Sequence, residues 1–115
     1  MIYRTRKLIK PEDLNARGTL FGGQLLKWID EEAAIFAICQ IGSKNVVTKY
    51  LSAIDFKHSP KVGDVVEIGM DGAKTGKTSL TFSCNVRIKD TDVSVISIEK
   101  IVFVKLDSDG KPCRI

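Results

Sequence analysis

Histidine occurs once in 115 residues and cysteine three times, and these scarcities exclude several chemistries at the outset. A single histidine, His58, leaves no pair of imidazoles at a metal-ligand spacing, so no metal is expected. No Gly-x-Ser-x-Gly elbow exists to present a nucleophilic serine, so His58, at a strand end in Phe56-Lys57-His58-Ser59-Pro60, has no triad to serve. Cys39, Cys84 and Cys113 are odd in number and widely spaced, which is not a disulfide framework. Cys84 alternates with Leu80, Phe82, Val86 and Ile88 and reads as a small core residue. No apolar run approaches the length that spans a bilayer. The opening MIYRTRKLIK interleaves basic with apolar residues and lacks the uninterrupted core of a signal peptide. A cytoplasmic protein with no membrane partner is expected.

Aromatic residues make up only 7% of the chain, and its basic residues are scattered rather than gathered into a run. That pattern argues against nucleic acid, which is bound by basic grooves with interleaved aromatic platforms. The net charge of +4 nevertheless suits a small anionic partner. At this length one domain, 1–115, is expected, with a core small enough to gain from oligomerisation.

Hydrophobic periodicity divides the chain into one strand, one long helix and four more strands. Ile2 to Ile9 reads as a short strand, and Lys10 to Asn15 as a turn in which Pro11 stops pairing. The helix is expected from Gly22 to Gln40, ending near Gly42-Ser43. Trp28, Ile35 and Ile38 make it apolar on nearly every face, which predicts that a wrapped sheet and a partner subunit cover it. Period-two segments follow at Val46 to Lys57, Asp64 to Lys74, Thr78 to Lys89 and Val93 to Leu106, separated by hairpin-like connections. The order is that of an α+β fold in which one antiparallel sheet buries one helix. Residues 107–115 read as a flexible tail.

The chemistry concentrates between Asn15 and Asp30. Gly22 and Gly23 open the helix, where the first backbone N–H groups have no intrahelical acceptor and the absent side chains let a ligand oxygen approach. Asp30 follows about two turns later, roughly 80° from the centre of an apolar stripe formed by Gly22, Leu25, Leu26, Ile29, Ala33, Phe36 and Ala37. Gln24, Lys27 and Glu31 fall on the opposite, solvent side. A carboxylate at the rim of a buried stripe is either paired with a neighbour or kept for chemistry. Asn15 alone reads as a turn residue. Gly72 to Thr78 superficially suggests a nucleotide loop, but its glycine spacing is short and a strand follows where a helix is needed. It reads as a hairpin turn.

Asn15, Gly18, Phe21-Gly22-Gly23 and Asp30, followed by Phe56, Pro60, Gly63-Asp64 and Gly76-Lys77-Thr78-Ser79, resemble the hot-dog fold acyl-CoA thioesterases, compact bacterial hydrolases related to the mammalian cytosolic enzymes. The resemblance implies a five-stranded antiparallel sheet wrapped around one long central helix. It implies hydrolysis of acyl-CoA to free fatty acid and coenzyme A, with Asp30 as general base or nucleophile, the Gly23 N–H as oxyanion donor, and Asn15 pairing with Asp30 across a homodimer interface. Gly22, Lys57, His58, Lys77, Thr78 and Ser79 are then candidates for binding substrate, although Lys77 to Ser79 also read as an ordinary solvated turn. Coenzyme A enters as part of the substrate, with no separate cofactor. Sites shared between two subunits and a hexamer built as a trimer of dimers are expected. The alternatives are a non-catalytic acyl-CoA binding or sensing module and a dehydratase, whose chemistry generally pairs a histidine with the helix acid.

Overall fold

The computed structural model describes residues 1–115. After β1 (Ile2–Leu8) and a short 3₁₀ turn at Pro11–Asp13, the chain enters α1 (Gly22–Ile41). Gly42 ends the helix in the left-handed conformation, φ 78°, and its N–H donates to the Ile38 carbonyl at 2.8 Å. The remaining strands are β2 (Val46–Leu51), β3 (Ile54–Phe56), β4 (Val65–Thr75), β5 (Ser79–Ile88) and β6 (Ser94–Lys105). They form one antiparallel sheet in the order β1-β4-β5-β6-β2, with β3 also paired to β6. No helix is long and apolar enough to cross a membrane.

The second of the expected strands is two. Val46 to Lys57 breaks at Ser52, whose hydroxyl replaces a carbonyl as the acceptor for the Lys100 N–H at 3.0 Å. The register nevertheless continues, with Leu51 opposite Ile101 and Ile54 opposite Ile98. The sheet therefore has six strand segments in the five positions expected. The connection from β3 to β4 is not a hairpin. It crosses from one edge of the sheet to the other, because β4 pairs with β1 and β5 while β3 pairs with β6. Period-two patterning identifies strands without identifying their neighbours.

The helix buries Leu25, Trp28, Ile29, Ala33 and Ala37 against the inner sheet face. Ala33 and Ala37 allow close approach, and Phe36 meets Phe82 with ring centroids 4.7 Å apart. The expectation that every helix face is covered holds for Trp28, which is buried beneath Lys7. The sheet of the same chain leaves Ile35 exposed. Residues 107–115, read as loose, turn back on themselves. The Asp107 N–H donates to the Lys111 carbonyl, Cys113 N–H to Lys105, and Ile115 N–H to Lys77. Cys84 is buried as expected, and burial pushes its thiol up to about 12, so it is inert.

On the outer sheet face Glu67 is only 3% exposed. Arg6 Nε and Arg87 Nε donate to its two oxygens at 3.1 and 3.2 Å. Arg87 lies over the Tyr3 ring at 3.7 Å. Burial pushes the Glu67 carboxyl up, but hydrogen bonds from Arg6, the Asp90 N–H and Arg87 outweigh it and hold the group below its ordinary 4.5. A depressed folded-state value stabilises the protein above 4.5, and that contribution is lost as pH falls through the lower folded value. Glu67→Gln should therefore melt below the wild type at neutral pH, with the gap in melting temperature closing as pH drops below 4.5. A gap unchanged across that range would show that the carboxylate charge contributes nothing.

Candidate active site

The helix start is uncapped. Phe21, the residue before it, is extended and offers no side-chain acceptor, and no acidic residue lies in the first turn. The N–H groups of Gln24 and Leu25 turn back to the Phe21 carbonyl at 3.1 and 3.2 Å, whereas those of Gly22 and Gly23 donate to no protein acceptor. Both glycines are walled by aromatics. A Cβ on Gly22 would lie 3.6 Å from the Phe56 ring, and one on Gly23 would lie 2.7 Å from the Phe21 ring.

The crossover from β3 to β4 passes over this helix start. Buried Pro60 accepts the Leu20 N–H at 2.8 Å, while Lys57 and His58 N–H both reach the Val95 carbonyl. A cavity of about 300 Å³ results, lined by Leu20, Gly22, Leu25, Phe56, Lys57 and His58 among others. Its floor is apolar and its rim basic. A larger cavity of about 450 Å³ lies on the other flank of α1, between Ile35, Phe36 and strands β1 and β4. Gly22 lines only the smaller of the two, and Asp30 lines neither.

Asp30, expected at the rim of the buried stripe, is exposed in the single chain and faces the free edge of the sheet. Thr48 on β2 donates its hydroxyl to Asp30 Oδ1 at 2.9 Å, and Oδ2 has no protein donor. Gly23 and Asp30 are separated by about 10 Å of helical rise, more than one carbonyl group bridges. Asn15 shapes its own loop. Its Oδ1 accepts the Arg17 and Thr19 N–H groups at 2.9 and 3.2 Å, and Gly18 completes the turn at φ 80°.

Not every expected residue joins this site. The single chain brings Gly22, Lys57 and His58 together but places Lys77, Thr78 and Ser79 at the opposite end of the sheet. The Lys105 N–H at the far end of β6 donates to the Thr78 carbonyl, whereas Val95, near its start, holds Lys57. The two ends are roughly 30 Å apart along a strand rising about 3.3 Å per residue. Period-two patterning locates the turn without revealing which end of the sheet it occupies.

Residues 17–95 match the thioesterase superfamily. The chain belongs to that family. The acyl-CoA thioester hydrolase YciA of Salmonella typhimurium is 34% identical over 113 residues, spanning 93% of this chain and 84% of that protein. The hexameric thioesterase y2039 from Yersinia pestis superposes with a TM-score of 0.88 at 31% identity, covering 99% of this chain and 94% of that one. An acyl-CoA hydrolase from Staphylococcus aureus, solved with butyryl coenzyme A, coenzyme A and coenzyme A disulfide, superposes with a TM-score of 0.84 at 33% identity, covering 96% and 66%. It has also been solved as alanine variants of an asparagine, an aspartate and a threonine. The hot-dog arrangement expected from the sequence is the fold of this thioesterase.

Three residues beside the thioesterase's helix escape sequence reading. Thr48 meets Asp30 only through the sheet edge, and no local pattern announces that contact. Asp13 is 2% exposed, and Gln24, expected on a solvent face, donates to Asp13 Oδ1 at 3.0 Å. A partial signal existed, since Asp13 sits three residues after Lys10 and accepts its N–H, as the third helical residue does in a capping box. Gly23→Val in this thioesterase should displace Phe21 and push any bound carbonyl off the amide, so both KM and kcat should worsen. Unchanged turnover of short and long thioesters would remove Gly23 from the site.

Proposed function

We propose that this thioesterase hydrolyses acyl-CoA to a free fatty acid and coenzyme A. The observation that carries the reading is the uncapped helix start, whose Gly22 and Gly23 N–H groups are unspent, with Gly22 lining a cavity floored by Leu20 and Leu25. A thioester carbonyl oxygen accepts the Gly23 N–H and lies at the positive end of the helix, where charge developing on the oxygen is stabilised. Asp30 then deprotonates an attacking water or attacks the carbonyl carbon itself to give a mixed anhydride that water cleaves. The coenzyme A thiolate leaves and takes up a proton in both routes, on collapse of the water adduct in the first and on formation of the anhydride in the second. Thioesters are activated enough that the reaction as written uses no metal or separate cofactor.

Two chains build each site in this reading. The axial separation of Gly23 from Asp30 within one helix supports it, because Asp30 of one protomer is then needed at the helix start of the other. The free β2 edge, where Val47, Tyr50 and Leu51 are exposed, suits an isologous dimer, and three such dimers in this chain would make a hexamer, the number of subunits of the Yersinia pestis relative. Asn15 orients the water or carbonyl. In the Staphylococcus aureus variants the asparagine and aspartate replaced by alanine are separated by the same interval as Asn15 and Asp30 here. The threonine follows that aspartate at an interval within one residue of that between Asp30 and Thr48. Lys57 and His58 at the cavity rim receive the coenzyme A arm, and Lys77, Thr78 and Ser79 contribute to it from a neighbouring chain.

Release of free thiol from a panel of acyl-CoAs tests the activity directly. Asp30→Asn should fold and assemble but lose at least ~100-fold in rate, the usual loss of a general base. Mixing Asp30→Asn with Gly23→Val subunits should restore about a quarter of wild-type activity, since half the dimers are hybrids with one intact shared site. No recovery after subunit exchange would place both groups on one chain. A binding or sensing module would release no thiol at all.

A further inference from the structure

Helix starts are ordinarily held by a serine, threonine, asparagine or aspartate that accepts the first free N–H groups. Such a cap here would occupy the donors on which the proposed reaction depends. We propose that Asp13 is the positioning residue of this site, a buried carboxylate that clamps the helix start from outside and leaves the Gly22 and Gly23 amides free. The inference rests on the oxyanion role given above to Gly23.

Asp13 accepts three hydrogen bonds, two of which bracket the glycine pair. Its backbone carbonyl accepts the Phe21 N–H at 2.9 Å, immediately before Gly22. Its Oδ1 accepts the Gln24 side-chain amide at 3.0 Å, immediately after Gly23. Its Oδ2 accepts the Lys10 N–H at 2.9 Å, which anchors the carboxylate to the preceding turn. The segment between Phe21 and Gln24 is therefore fixed at both ends while neither glycine amide is spent. A pair of adjacent glycines is the most flexible way to begin a helix, and an oxyanion donor must be held to within about 0.5 Å. Burial of Asp13 costs solvation, which both engaged oxygens and the nearby positive end of the helix offset. Phe21 supplies no polar group that could do the same work.

Gln24→Leu and Asp13→Ala remove the same bond from opposite sides, and Asp13→Asn conserves it. The carboxamide oxygen introduced by Asp13→Asn keeps the Lys10 N–H, and the Gln24 amide can turn to accept from the new amine. Each bond-breaking variant should lower kcat for acyl-CoA hydrolysis by about tenfold with KM changed by less than about twofold, the pattern of a contact that matters in the transition state. The double variant should be no slower than the slower single variant. Asp13→Asn should restore kcat to within about threefold of wild type. Amide hydrogen exchange at Phe21 and Leu25, whose bonded N–H groups flank the glycine pair, should quicken in Gln24→Leu and not in Asp13→Asn.

All assays use the assembled protein well below its melting temperature. Variants that melt earlier yet keep wild-type kcat and wild-type exchange at Phe21 and Leu25 would overturn the proposal, leaving Asp13 a stability residue. Asp13→Asn as slow as Asp13→Ala would also overturn it, because charge rather than the bond to Gln24 would then be what matters. Should Asp13→Ala fail to fold, half-buried Gln24→Leu carries the test. A wild type that releases no thiol from any acyl-CoA would refute the hydrolase reading instead, and exchange at Phe21 and Leu25 would still decide whether the clamp exists.

Discussion

Ala33 and Ala37 have no exposed surface, and the close approach they allow between helix and sheet sets the orientation of everything else. With Leu25 and Ile29 they make one stripe that lies on the sheet, so the flanks of the helix are assigned without further choice. Asp30 turns to the free β2 edge, and Glu32 and Ile35 turn toward β1. Burying a large side chain such as Leu25, Ile29 or Phe82 contributes about 1.5–3 kcal/mol. A missing helix cap costs about 0.5–2 kcal/mol. The core therefore outweighs an uncapped start, and bare amides can persist where a ligand needs them.

The crossover that follows β3 connects this core to the site. A hairpin at that point would have kept Phe56, Lys57 and His58 away from the helix. Because β4 lies on the far side of the sheet from β3, the chain instead passes over the helix start and closes a cavity against Gly22. The same topology leaves the β2 and β3 edge unpaired, with apolar side chains exposed along it and Asp30 beside it. A site that is open at that edge and an acid that is exposed there are two consequences of one incomplete sheet.

Three carboxylates illustrate how surroundings divide structural from chemical roles. Glu67 and Asp13 are buried, and both oxygens of each are engaged by donors. Asp30 is exposed and keeps one oxygen without a protein partner. Only the last has capacity left for a water or a substrate. The two buried acids are satisfied as buried charges must be, one bracing the outer sheet face and one the loop before the helix.

The order of elements, the helix ends and the candidate pairing of glycines with an aspartate were legible in the sequence, because periodicity and turn chemistry are local. Gly42 suited the end of the helix, Cys84 alternated with core residues, and the Gly22 and Gly23 amides had no acceptor within the helix. Strand neighbours were not legible, since alternation is the same in a hairpin and a crossover. For that reason the placement of Lys77 to Ser79 far from Gly22, the meeting of Thr48 with Asp30 and the burial of Asp13 against Gln24 were decided only by the tertiary structure. Each depends on which segments lie side by side, and that is settled by the one arrangement of this sheet that buries this helix.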